Sequence, residues 1–278
     1  MKKINRRSFL AAAGLTAAAL ALTACGGSAY STASSTASSA ASSEAASTSA
    51  AAELTTVEAG KLTMATNAAF PPYEMTTDAG EFEGIDIDTA KAIAEKLGLE
   101  LQIDDMDFDA ALLSVQQGKA DIVMAGVTVT DERKAVMDFS DSYATGIQSI
   151  IVPEGSDITS PDDLAGKKIG TQRGTTGYIY CSDDFGDDAV VAYDDGLTAV
   201  QALNNGQVDA VVIDNAPAKE FVAANPGLVI LDTSYAEEDY AIGLAKGSAL
   251  EDAVNAALEE LKADGTLQSI VDKYITAE

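Results

Sequence analysis

The chain has no histidine and no tryptophan, only two cysteines, Cys25 and Cys181, and 17 lysines and arginines against 44 aspartates and glutamates. Without histidine, Ser-His-Asp and Cys-His catalysis and histidine-ligated zinc sites are excluded. Cys181 stands alone beyond the first 25 residues, so no disulfide staples the folded part, and it reads as a small apolar side chain. The formal charge of −27 repels a polyanion, which excludes nucleic acid as a partner. Four of the few bases (Lys2, Lys3, Arg6, Arg7) precede the first acid, so the rest of the chain is more acidic still. That acidity reads as a soluble surface, with a slight lean toward a cationic ligand. Arginine is scarcest: beyond residue 7 there are only Arg133 and Arg173.

No apolar run is long enough to span a bilayer. The longest, Phe9 to Ala24, falls short of the roughly 20 residues a spanning helix needs and follows a basic start, the pattern of an export signal. Its end, Leu22-Thr23-Ala24-Cys25 followed by Gly26-Gly27, resembles the lipobox of bacterial lipoproteins, which implies acylation of Cys25 as the new N-terminus and a lipid anchor outside the cell membrane. Arg6-Arg7-Ser8-Phe9-Leu10 is also similar to a twin-arginine signal, and the export route stays open. Residues 26–56 are dominated by Ser, Ala and Thr and lack the residues that bury a core. They are expected to form a flexible tether with an r.m.s. span of about 30 Å.

The remaining 57–278 alternate apolar β-branched runs with helical patterns, the signature of an α/β fold with parallel sheets covered by helices. Strands are expected at 62–66, 101–103 and 120–125, with helices at 88–97 and 110–117. A second series follows the apolar run Ile147 to Val152. It places strands at 168–171, 210–213 and 240–244 between helices at 176–182, 196–204 and 217–224. Ser248-Ala249-Leu250-Glu251 spells a capping box for a terminal helix carrying Leu250, Val254, Ala257, Leu258 and Leu261 on one stripe. Gly265 ends it, and Thr266 opens a last helix.

Gly84-Ile85-Asp86-Ile87-Asp88-Thr89-Ala90-Lys91-Ala92-Ile93-Ala94, then Ala125 to Lys134 with Met137 to Tyr143, then Tyr240 to Gly247 together resemble family 3 of the bacterial solute-binding proteins, the amino-acid receptors of ABC importers. Thr89 departs from the usual larger aliphatic. The likeness covers about residues 60–276. It implies a periplasmic-binding-protein-like fold of type II, with two α/β lobes, 57–149 plus 243–278 and 150–242, joined by hinge strands near 147–152 and 240–244. It implies a monomer that binds a free amino acid and passes it to a permease, without a cofactor or metal.

A free amino acid carries a carboxylate and an ammonium on one carbon, so its receptor needs a planar cation and an anionic acceptor close together. Arg133 falls where the family clamps the carboxylate, a task a guanidinium does bidentately and lysine cannot. Gly126 and Thr128 match positions that receive the ammonium. Thr176, in Gly174-Thr175-Thr176-Gly177 before a helix, matches a second carboxylate contact. Asp214 ends an apolar strand, at the sheet edge where ligands bind in open α/β folds, and matches the acidic ammonium anchor. Phe70 and Phe108 match aromatic walls. Asn67 and Gln172 face the ligand's side chain; two amides suit a polar ligand such as glutamine and leave a basic one open. Two rivals stand beside this reading. One is an exported dehydratase-type enzyme on the same fold, for which Glu74 or Asp107 is the available general acid. The other is a sensor for a signalling partner.

Overall fold

The structure is a computed structural model and describes residues 54–275. Cys25, its lipobox and all but the end of the tether lie outside those residues.

The first series opens with strand β1 (Lys61–Thr66). Three short strands, β2 (Ala69–Phe70), β3 (Glu74–Thr76) and β4 (Phe82–Glu83), then form a small antiparallel sheet of their own. Helix α1 (Ile85–Leu97), strand β5 (Glu100–Asp105), helix α2 (Phe108–Gln116), strand β6 (Ile122–Val123) and helix α3 (Asp131–Val136) follow. The 17-residue strand β7 (Met137–Pro153) leads into a second series: β8 (Ile169–Gln172), α4 (Thr176–Phe185), β9 (Val190–Tyr193), α5 (Gly196–Asn204), β10 (Ala210–Asp214), α6 (Asn215–Ala224) and β11 (Leu228–Ile230). Strand β12 (Ala236–Ala245) returns, and helices α7 (Glu251–Ala263) and α8 (Thr266–Tyr274) close the described chain.

The large sheet runs β5-β1-β6-β12-β7-β10-β8-β9, with β11 beside β7. Its two ends are parallel ladders, β1 with β5 and β6, and β8 with β9 and β10. Between them β7 and β12 run antiparallel, and each is long enough to belong to both ends: β12 also pairs with β6, and β7 with β10 and β11. Site residues from the two series therefore face one another across this central pair.

Several boundaries differ from the sequence expectation for physical reasons. The expected strand at 120–125 keeps only Ile122–Val123 in the ladder, because the chain bends away at Gly126, whose φ of 54° is in the left-handed region. Met137 to Gly146 is rich in Asp, Ser and Thr and carries no strand alternation, yet pairing with β12 makes it the first half of β7. The capping box does not form. Helix α7 begins at Glu251 with Leu250 at its N-cap and no side-chain cap, while Ser248 Oγ accepts from the Leu250 amide at 3.2 Å inside a turn.

Leu62, Met64, Ile85, Ile93 and Ile122 are sealed in a core shared with Val254, Leu258 and Leu261 of α7. At the other end Ile150, Leu164, Ile169 and Val212 pack around Cys181, and burial pushes that thiol up to about 12. Where β7 and β12 cross, Gly146 lies directly under the ring of Tyr240: a Cβ added there would sit 2.4 Å from Cζ. Tyr240 is itself buried at 1% exposure and has nowhere to move. Gly146→Ala is therefore expected to cost about 1–3 kcal/mol by overpacking, read as a lower urea midpoint with an unchanged slope.

Candidate functional site

Each site residue is held by an element whose local sequence explains it. Thr130 caps α3, its hydroxyl accepting from the Arg133 amide at 3.2 Å, and this sets Arg133 one turn into the helix with its side chain turned back into the molecule. The guanidinium donates to the carbonyls of Thr128 at 2.7 Å and Gly174 at 3.1 Å, and lies 5.4 Å over the Phe108 ring. Burial pulls its pKa down and the Glu238 carboxylate opposes that. Gly126 packs its α-carbon against Phe70, where a Cβ would come within 2.9 Å of the ring. Its amide donates to Asp86 Oδ2 at 3.0 Å. Asp86, in the first turn of α1, thus fixes the Gly126–Thr128 segment from behind.

From the second series, Thr175 caps α4 and leaves Thr176 as that helix's first residue, buried and with its hydroxyl 3.4 Å from that of Thr128. Asp214 is both a helix cap and a pocket wall. Its Oδ1 accepts from the Ala216 amide at 2.9 Å and its Oδ2 from the Ile147 amide at 2.7 Å. Burial pushes its carboxyl up to about 6 against those two hydrogen bonds.

All nine residues expected at the site, Asn67, Phe70, Phe108, Gly126, Thr128, Arg133, Gln172, Thr176 and Asp214, line one cavity. Glu74, Gln148, Thr175 and Tyr240 line it with them. About 20 Å³ is left for solvent, room for roughly one water, so a solute enters only if the walls part. Three contacts hold the walls together: Gln172 Nε2 to Asn67 Oδ1 at 2.8 Å, Arg133 to the Gly174 carbonyl, and the Thr128 and Thr176 hydroxyls. The first engages the two amides with each other, and Asn67 Nδ2 also donates to the Met106 carbonyl at 3.0 Å.

Sequence reasoning named Glu74 only as an acid for the rival enzyme. It is fully buried, lines the cavity, and neither carboxyl oxygen has a hydrogen-bond partner of ordinary geometry. Burial, reinforced by the neighbouring Asp86 charge, holds its pKa well above the usual carboxylate range. Burial likewise pushes Asp86 up to about 6. Asp107, the other candidate acid, is exposed and does not line this cavity. Arg173 is also outside it, 3.6 Å from Asp194 on the surface. Gln148 and Glu238 were missed. Gln148 Nε2 donates to Glu238 Oε2 at 3.0 Å beside Thr128.

Among the buried charged residues around this cavity, four are carboxyls (Glu74, Asp86, Asp214, Glu238) and one, Arg133, is a cation. A cleft between two halves of a sheet, with one planar cation and several acids, defines a receptor that encloses a small polar solute. The chain belongs to the bacterial extracellular solute-binding proteins, family 3, whose family model matches residues 62–277. The fold is that family's two-lobed α/β fold.

Individual relatives agree. The chain is 32% identical over 283 residues to a probable histidine-binding protein of Neisseria gonorrhoeae, covering 99% of this chain and 98% of that one. It is 31% identical over 222 residues to ABC transporter arginine-binding protein 1 of Escherichia coli K12, covering 78% and 91%. The solved structure of an ancestral arginine-binding protein bound to glutamine matches with a TM-score of 0.75 at 43% identity, covering 78% of this chain and 99% of that one.

Proposed function

We propose that the protein captures a free amino acid with a cationic side chain between lobes formed by 57–149 plus 243–278 and by 150–242, and hands it to the permease of an ABC importer. The observation that carries the basic preference is Glu74, a buried carboxyl in the cavity wall that has the Asp86 carboxyl beside it and is paired with no cation among the described residues. A buried acid of this kind is costly alone and favourable beside a cation. Arg133 and the amides near Thr176 take the α-carboxylate, Asp214 and Thr128 take the α-ammonium, and Phe70 and Phe108 flank the side chain as it reaches Glu74. The ligand then contacts both lobes, and binding favours closure because only the closed form makes every contact.

The relatives named for histidine and arginine support this reading, and the glutamine-bound ancestor supports binding of an uncharged amide as well. In the same proposal the protein acts as a monomer at the outer face of the cell membrane, tethered through a lipid on Cys25. It acts as a receptor and not as an enzyme: among the described residues the cavity wall holds Glu74 as its one acid besides Asp214, and a cationic ligand group neutralises it in place.

A thermal-shift panel of the twenty amino acids tests the function directly. A ligand at 100 times its Kd stabilises the native state by about 2.7 kcal/mol, or about 5–10 °C for a chain of this size. Arginine, lysine or histidine is expected to give the largest shift, glutamine a smaller one, and aspartate and glutamate none. A dominant shift with an acidic or aliphatic amino acid overturns the basic preference; no shift with any of the twenty overturns amino-acid binding.

A further inference from the structure

Glu238 is 6% exposed on β12 and belongs to none of the segments through which the site was recognised. Its Oε2 accepts two hydrogen bonds, from Thr128 Oγ1 at 3.0 Å and from Gln148 Nε2 at 3.0 Å, while Oε1 is buried with no partner of ordinary geometry and the Tyr180 hydroxyl lies near the carboxylate. The first of these bonds has a fixed direction. A carboxylate has no hydrogen to give, so Thr128 must be the donor. A threonine hydroxyl has one hydrogen, and once that hydrogen points at Glu238 only lone pairs remain on the oxygen.

The other neighbour of that oxygen, the Thr176 hydroxyl at 3.4 Å, can then only donate to it. Left to itself the Thr128 hydroxyl would rotate and donate as readily as accept. Gln148, which lines the cavity, also donates to Oε2 and so holds the carboxylate in register with Thr128. The net result is an oxygen in the cavity wall that accepts and does not donate.

We propose that Glu238 is a positioning residue that makes the Thr128 hydroxyl an obligatory acceptor, and thereby selects ligands bearing an α-ammonium over those bearing an α-hydroxyl. The proposal rests on the amino-acid reading and deepens it. An ammonium brings three hydrogens and a positive charge toward a wall that offers lone pairs and a nearby carboxylate. An α-hydroxy acid brings one hydrogen and no charge, and its own oxygen meets lone pairs. Specificity then arises partly from repulsion of the wrong donor–acceptor pattern. A purely structural Glu238 would stabilise the fold without distinguishing the two ligand types.

The test compares L-arginine and L-glutamine, each with the α-hydroxy acid of the same side chain, by calorimetry on the parent protein, Glu238→Gln and Glu238→Ala. Far-ultraviolet melts confirm folding, and the isosteric Glu238→Gln keeps the experiment interpretable if the alanine variant is unstable. Glu238→Ala is expected to lose tenfold or more in affinity for the amino acid while changing the affinity for the α-hydroxy acid less than threefold, and Glu238→Gln, whose amide oxygen still accepts from Thr128 but carries no charge, is expected to shift the ratio the same way by less. Adding Thr128→Val to Glu238→Ala is expected to cost less than the sum of the single changes, because both remove the same acceptor. Equal losses for the two ligand types, or an unchanged preference ratio, overturn the proposal while leaving the proposed function standing. If the parent protein binds neither amino acid, the proposed function falls and this proposal with it.

Discussion

Replacing Arg133 with alanine is expected to remove amino-acid binding while the protein still folds. Arg133 is the one cation among the buried charged groups around the cavity. In the proposed complex it faces the α-carboxylate, and truncating one partner of a buried, hydrogen-bonded charge pair costs about 2–5 kcal/mol, on the order of 30- to several-thousand-fold in Kd. Arg133→Lys is expected to recover little, because an ammonium cannot reach the Thr128 and Gly174 carbonyls and grip a carboxylate with a planar fork at once. The empty protein should also hold its lobes together less firmly, since the bond to the Gly174 carbonyl is one of the hydrogen bonds that join them across the cavity. Calorimetry on the parent and both variants, with small-angle scattering of the ligand-free forms, checks this. An Arg133→Ala protein that keeps its Kd within threefold defeats the carboxylate-clamp assignment.

The parts of the site legible in the sequence are those where local pattern and chemistry coincide. Arg133 stands out in a chain nearly without arginine, and Asp214 ends an apolar strand at the place where a sheet edge meets solvent or ligand. The helices of the second series were legible for the same reason: 196–204 is a helix in both readings, since Asp195 caps it and apolar residues recur on one face, whereas the short strands β9 and β11 were not expected. Glu238 shows the opposite case. In Glu237-Glu238-Asp239 it looks like part of a solvated acidic run. Yet Tyr240 and Ile242 lie two and four residues further along β12, and alternation puts Glu238 on their buried face. The signal is that alternation, which sets Glu238 apart from the two acids beside it. Gln148 stood inside the apolar run expected at 147–152 and was read only as part of a hinge strand; its partner Glu238 is 90 residues away, beyond any local pattern. Asp86 was read as part of a helix start, and its role behind Gly126 depends on a contact 40 residues away that no local pattern contains.

Replacing Glu74 with glutamine is expected to raise stability and lower affinity together. In the ligand-free protein burial and the Asp86 charge oppose ionisation of Glu74 and favour its protonated form. Asp86 and Asp214 are held up to about 6 for the same leading reason. A carboxyl whose folded-state pKa lies above its unfolded value contributes stability at low pH that is lost as pH rises through the folded value. The empty protein should therefore melt at lower temperature at pH 7.5 than at pH 5, with the loss beginning above the ordinary carboxylate range of about 4 and running through about 6 and beyond. Glu74→Gln fixes a neutral donor in that place and is expected to flatten this slope, most visibly at pH 7.5.

A cationic ligand side chain reverses the balance by favouring ionised Glu74, so binding releases a proton. Affinity for L-arginine should then rise with pH, by up to about tenfold per unit for one proton released, until the pKa of the empty site is passed. In Glu74→Gln that dependence should vanish and arginine binding should weaken about 30-fold or more, the scale of a lost buried charge partner, while glutamine binding changes little. Calorimetry from pH 5 to 8 in two buffers of different ionisation heat measures both the affinity and the proton count. A parent protein that binds arginine with no proton release, or a Glu74→Gln variant that keeps the same pH slope, rules out Glu74 as the side-chain partner.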